Sequence, residues 1–191
     1  MIFSNNTRFR IQQAVYPLSF VATLKNGTVL GGSVGPNVGG ELQGLRGLDE
    51  TWRLRPGLLW SFTVARRFFG TEPQIPYLLV VGTFGGSHTS TEQLLADGSE
   101  GERAGFHALD GRADLSMGWT LGEAWSPYLS VRAFGGPVFW QREDAPVTGT
   151  DLYHVSVAAG FNLTIKNRVS VFFDGAFLGL RGLSGGFSVR F

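Results

Sequence analysis

Apolar residues in this chain recur at every second position, stretch after stretch, and that period constrains the fold more than any other feature. In 152–165, Tyr153, Val155, Val157, Ala159, Phe161, Leu163 and Ile165 alternate with His154, Ser156, Ala158, Gly160, Asn162 and Thr164. In 112–121, Ala113, Leu115, Met117, Trp119 and Leu121 alternate with Arg112, Asp114, Ser116, Gly118 and Thr120. Leu58, Trp60, Phe62 and Val64 oppose Leu59, Ser61 and Thr63, and Leu183, Phe187, Val189 and Phe191 oppose Ser184, Gly186, Ser188 and Arg190. Successive side chains of a strand point to opposite faces, so these stretches predict two-faced strands. Helical spacing fits none of them as well.

The pattern predicts an all-β chain of eight strands, over 17–33, 53–68, 75–88, 104–121, 127–141, 151–165, 168–178 and 182–191. A hairpin turn at Asn26-Gly27 is the alternative. It would split the first strand and recruit Thr7–Val15, giving ten strands. Residues 1–191 read as one domain, with 1–16 a lead-in or an extra strand. The connections alternate between short (Phe69–Gln74, Gly122–Ser126, Lys166–Asn167) and long and polar (Val34–Trp52, Thr89–Arg103, Arg142–Thr150). Short turns on one rim and long loops on the other characterise outer-membrane barrels.

Only 16% of residues are charged, against about 25% in ordinary soluble domains. The net charge of +1 gives no bulk attraction to nucleic acid. The absence of cysteine excludes disulfides, thiol catalysis and a cysteine-based metal site. The longest clean apolar run, Tyr77–Val81, is far too short for a transmembrane helix. Met1–Asn6 has no basic start followed by an apolar core, so an exported protein is expected here without its signal peptide.

The polar faces are rich in Gly, Ser, Thr and Ala, with isolated charges. Such faces suit a narrow lumen, whereas a water-facing exterior carries more Lys and Glu. Arg55, Arg112, Asp114, Arg132, Asp174 and Arg190 are therefore the expected lumen charge network. With eight strands the lumen is expected to be largely filled by side chains. The apolar faces are expected to meet lipid, with girdles of Tyr77, Trp119, Trp125 and Tyr128 by the short turns and Trp52, Trp140 and Tyr153 by the long loops. Trp60 falls outside both girdles. Hydrocarbon leaves no open sheet edge unpaired, so the last strand is expected to pair with the first.

The ending Ser184-Gly-Gly-Phe-Ser-Val-Arg-Phe191 resembles the C-terminal insertion signal of bacterial outer-membrane β-barrels, with Ser184, Gly186, Val189 and Phe191 at its fixed positions. The stretch Ala159–Asp174 resembles the penultimate hairpin of the small barrels related to the membrane domain of outer-membrane protein A. The resemblance implies a closed antiparallel transmembrane barrel in a Gram-negative outer membrane, with short periplasmic turns and longer extracellular loops. It implies recognition by the barrel-assembly machinery, and outer-membrane lipid and lipopolysaccharide as surroundings. It implies no activity, because this fold serves many functions.

Two histidine clusters carry candidate chemistry. His154 and Ser156 share a strand face, and their spacing resembles the His-x-Ser of outer-membrane lipid A deacylases. Those enzymes place the pair toward lipid and follow it closely with an acid. Here the lipid face belongs to Tyr153, Val155 and Val157, and no acid lies between Asp151 and Asp174. A lumen histidine bonded to its neighbours is the simpler expectation. His88 and His107 would oppose each other if a hairpin centres near 97–98, and with Glu92 or Glu102 could hold Zn²⁺. Rim histidines with no such role are commoner. The long loops are acidic, with Glu41, Asp49, Glu50, Glu92, Asp97, Glu100, Glu102, Glu143, Asp144 and Asp151 in or beside them. The glycine-rich stretch Gly31–Gly40 lacks the Lys of a phosphate loop.

The expected function is a membrane anchor or interaction scaffold, with no enzyme activity, no cofactor and an envelope protein as a further partner. The alternatives are a narrow, porin-like channel for small solutes and a lipid-modifying hydrolase using His154 and Ser156.

Overall fold

Alternation becomes strand through most of the chain, and three of its interruptions fall at prolines. The computed structural model describes residues 1–70, 75–122, 124–143, 145–165, 168–179 and 181–190. Phe191, Asp144 and the turn residues 71–74, 123, 166, 167 and 180 lie outside the described residues. The strands are β1 (Ile2–Phe3), β2 (Phe9–Val15), β3 (Leu18–Thr23), β4 (Thr28–Gly44), β5 (Thr51–Leu54), β6 (Gly57–Phe68) and β7 (Tyr77–Leu94). They continue as β8 (Glu100–Gly118), β9 (Trp125–Gly135), β10 (Val138–Gln141), β11 (Pro146–Thr150), β12 (Val155–Ile165), β13 (Val169–Leu178) and β14 (Gly182–Val189).

Pro17 separates β2 from β3, Pro56 separates β5 from β6, and Pro137 separates β9 from β10. Each lacks the N–H that would continue its ladder. Both halves of each pair nonetheless share a neighbour, β2 and β3 on β4, β5 and β6 on β7, and β9 and β10 on β8. The hydrogen-bonded path β14-β13-β12-β9-β8-β7-β5-β4-β2 therefore has nine members, although the sheet contains 14 strand segments. The expected single strand over 17–33 is two strands. Gly27 takes φ +79°, and Asn26 Oδ1 accepts from Thr28 N at 3.0 Å, which makes the tight turn between β3 and β4. Part of the supposed lead-in, β2, lies on the ladder.

The long loops expected at 34–52, 89–103 and 142–150 are largely strand. The connections at that rim shrink to 45–50, 95–99 and 142–145. Their polar residues face outward along continuing strands, while apolar residues of the opposite parity turn inward. Gly39 (φ +103°) and Gly40 (φ +155°) sit at a register shift between β2 and β4 that changes which parity of β4 points in.

The sheet closes at this rim. β1 pairs with β11 through Ile2↔Thr150 and Phe3↔Gly149, and meets β2 through the Ile2↔Arg8 bridge and a 3.1 Å bond from Phe9 N to Met1 O. Closure therefore does not come from pairing the last strand with the first. Among the described residues β14 pairs with β13 alone. The path is antiparallel throughout and odd in number, so its two outermost members run the same way and cannot form an antiparallel ladder.

Along its length the barrel reverses its polarity. Near the rim of connections 45–50, 95–99 and 142–145, the inward face is apolar. Phe3, Phe9, Leu42, Trp52, Leu54, Ala104, Phe106, Val138 and Trp140 form one buried cluster there. The outward residues Arg10, Gln12, Glu41, Gln43 and Arg53 are exposed. Toward the Asn26-Gly27 rim the faces exchange character. Asp114, Ser116, Ser130 and Asp174 are buried, whereas Phe62, Leu115, Met117, Leu129, Val131 and Phe173 are exposed.

Candidate functional site

The polar half of the interior is assembled by ladder register. Asp114 on β8 lies opposite Arg132 on β9. Strand β12 stands between β9 and β13, and its inward residues Ser156, Ala158 and Gly160 are small. Side chains from β9 can therefore reach across β12 to Asp174. Arg132 Nη1 donates to Asp174 Oδ1 at 2.8 Å and Nη2 to Oδ2 at 2.5 Å, a bidentate pair. Arg132 Nε lies 3.0 Å from Asp114 Oδ1, and Arg112 Nε donates to Asp114 Oδ2 at 2.7 Å. Tyr128 Oη donates to Asp174 Oδ2 at 3.0 Å, directly over Gly160, where an added Cβ would come within 2.7 Å of that hydroxyl.

Four of the six expected lumen charges thus form one chain, Arg112–Asp114–Arg132–Asp174. The other two do not join it. Arg55 pairs with Glu92 and with Glu100, the latter at 3.2 Å, toward the rim of connection 95–99. The Arg55-Pro56 break between β5 and β6 shifts the strand parity and displaces Arg55 from the polar lumen. Arg190 is exposed, and among the described residues its side chain makes no ion pair, while its N–H donates to Arg168 O.

A cavity of about 380 Å³ lies beside the charge chain, lined by residues that include Arg67, Tyr77, Arg112, Tyr128 and Asn162. Hydroxyls pair across neighbouring strands elsewhere on the inner wall, Ser33 with Ser61 at 2.6 Å and Thr63 with Thr83 at 3.1 Å. Toward the opposite rim the interior is packed with aromatics. Trp140 stacks edge-on against Trp52 (4.8 Å) and Phe9 (5.2 Å) and lies 5.3 Å from Phe3. Its Nε1 donates to Thr91 Oγ1 at 2.8 Å, so the one polar atom of the indole is satisfied. Arg142 caps the cluster, with its guanidinium 5.0 Å from the Trp52 ring and 5.1 Å from the Trp140 ring.

The aromatic girdles expected near the strand ends are only partly formed. Trp119, Trp125 and Tyr153 are exposed. Trp52, Trp140 and Tyr77 are buried and Tyr128 faces the lumen, because each shares the parity of inward residues. The parity of Ser126, Ser130 and Arg132 on β9 was the signal that could have placed Tyr128 correctly.

Among the described residues no hydrogen bond joins His154 to Ser156. His154 Nδ1 lies 3.2 Å from Phe134 O, and Ser156 is buried on the lumen side. His88 and His107 do face each other in the β7–β8 ladder, with Nδ1 atoms 2.7 Å apart. Neither expected acidic partner is free to join them. Glu92 pairs with Arg55, and Glu102 accepts from Glu143 N and lies 3.9 Å from Arg142. Among the described residues no group of three or more His, Cys, Asp and Glu side chains is placed to hold a metal. Of the terminal motif, Ser184 and Gly186 share the inward parity of β14 and Val189 the outward one. Phe191 is outside the described residues.

Compared with protein-family models, with curated proteins and with solved structures, the chain matches none.

Proposed function

We propose that this chain is an integral outer-membrane β-barrel of a Gram-negative envelope, acting as an anchor or interaction scaffold with an occluded interior. The reversal of polarity along the barrel carries this reading. Soluble monomers rarely expose contiguous apolar patches beyond a few hundred Å². Here Phe62, Leu115, Met117, Leu129, Val131, Phe161 and Phe173 are all exposed, while ion pairs and hydroxyls line the space they enclose. That distribution suits hydrocarbon outside and a narrow polar lumen inside, and it requires the edges of β3 and β14, unpaired among the described residues, to be covered in the bilayer. The likeness of Ser184–Phe191 to the barrel insertion signal supports export through the assembly machinery, with lipid and lipopolysaccharide around the belt.

The channel reading requires a continuous path. The Trp52–Trp140–Phe9 cluster and the Arg132 ion pairs lie across it. The hydrolase reading requires His154 to activate Ser156, and His154 is turned to Phe134 O. The interaction surface is the polar outer wall near Arg10, Glu41 and Arg53, where an envelope protein would dock. Reconstitution in a planar bilayer tests occlusion. The barrel is expected to insert without discrete conductance steps, and reproducible single-channel steps would replace the scaffold reading with the channel.

A further inference from the structure

His88 and His107 occupy the outer face of the barrel where the apolar belt gives way to the polar wall. The row across four strands reads Leu58–His88–His107–Phe139. Their backbones are fixed by the longest ladder in the sheet, so the two imidazoles are held together without a loop. The Nδ1 atoms stand 2.7 Å apart and the ring centroids 4.3 Å apart. Two nitrogens about 2.05 Å from a tetrahedral ion stand about 3.3 Å apart, so side-chain rotations of a few tenths of an ångström on each ring would admit one.

The other nitrogen of His107, Nε2, points away from His88 toward Gln141. Gln141 lies opposite Gly105 in the β8–β10 ladder, and Gly105 has no side chain to fill the space. A Cβ at that position would lie 3.1 Å from Gln141 Oε1 and 3.5 Å from His107 Nε2, so both groups lie over the glycine. Arg55 occupies Glu92, which keeps that carboxylate away from the pair.

We propose that His88 and His107, through their facing Nδ1 atoms, bind one borderline divalent transition-metal ion of the Zn²⁺, Cu²⁺ or Ni²⁺ class. Imidazole suits these ions, whereas hard cations such as Mg²⁺ prefer all-oxygen sites. Water completes the coordination on this open surface. The proposal stands apart from the membrane reading, since it needs only the β7–β8 ladder.

The chain has three histidines and no cysteine, which makes the test clean. The folded barrel, carrying no histidine tag, is titrated with Cu²⁺ in detergent and read by electron paramagnetic resonance, with Zn²⁺ as competitor. The expected result is one ion per chain with two nitrogen ligands, displaced by Zn²⁺. His88→Ala and His107→Ala should each abolish the two-nitrogen signature, and His154→Ala should leave it intact. Gln141→Ala, a change on the Nε2 side of His107, should leave the two-nitrogen signature and the affinity intact, and loss of the signature there would count against the Nδ1 pair. A two-nitrogen signature that survives His88→Ala, or its absence from the folded parent barrel, overturns the proposal.

Discussion

Arg132 shows how much can rest on one side chain in a narrow lumen. It is held by two carboxylates, Asp174 and Asp114, and these are among the least exposed polar residues in the barrel. Breaking a buried pair leaves a charge with no partner, and that loss exceeds what the intact pair contributes. Asp174→Asn should therefore destabilise the folded barrel by about 3 kcal/mol, the low end for buried pairs, because the adjoining cavity admits some water to Arg132. Denaturant unfolding followed by tryptophan fluorescence would measure it. Trp140 is the apolar counterpart, with 1% of its surface exposed. Trp140→Ala should cost about 3–5 kcal/mol by leaving a cavity among Phe9, Trp52 and Phe106, and the same unfolding experiment reads it. Arg112, Asp114, Arg132 and Asp174 were legible in the sequence because their parity opposes the large apolar residues. Trp140 and Trp52 were misread, because a tryptophan near a strand end looks the same whether it faces headgroups or the interior.

At the scale of elements, parity and interruption decide which faces meet. Strand β12 carries only small inward residues at Ser156, Ala158 and Gly160, and this lets Arg132 and Tyr128 of β9 reach Asp174 of β13. Gly160→Val should displace Tyr128 and cost about 1–3 kcal/mol through overpacking. Loss of the Tyr128–Asp174 contact in a structure of the variant, together with a lowered unfolding midpoint, would bear this out. An unchanged midpoint would mean that β12 does not set the spacing. The alternating stretches themselves were plain in the sequence. Their ends were not, because polarity was read as a loop signal. In 89–94 Ser90 and Glu92 continue the outward parity of β7, Glu92 covered by Arg55, while Thr91 turns inward. Pro17, Pro56 and Pro137 conceal the continuity of three long strands, since both flanking segments remain on one neighbour. The Asn26-Gly27 turn belongs to the ten-strand alternative and not to the eight-strand reading; it forms, and the strand it separates from β4 continues through β2 past Pro17.

For the whole molecule, the central claim is that the exposed apolar band faces hydrocarbon while the outer wall beyond it faces water. The His88–His107 row lies near the border between the two. The sequence carried the band, because the alternation persists in every long strand. It did not carry the way the sheet closes, which depends on β1 lying across from β11 in a two-residue ladder too short to show any period. The band is tested most directly by placing a charge on it. Leu129 is 53% exposed, at the middle of the apolar row on β9, and Gln43 is exposed on the polar wall. Folding free energies of Leu129→Arg and Gln43→Arg in lipid vesicles can be compared with that of the parent chain. If the band lies in hydrocarbon, Leu129→Arg loses about 2–4 kcal/mol, while Gln43→Arg stays within about 0.5 kcal/mol of the parent. Equal and small effects at both positions would contradict the account, since an exposed residue in water tolerates arginine.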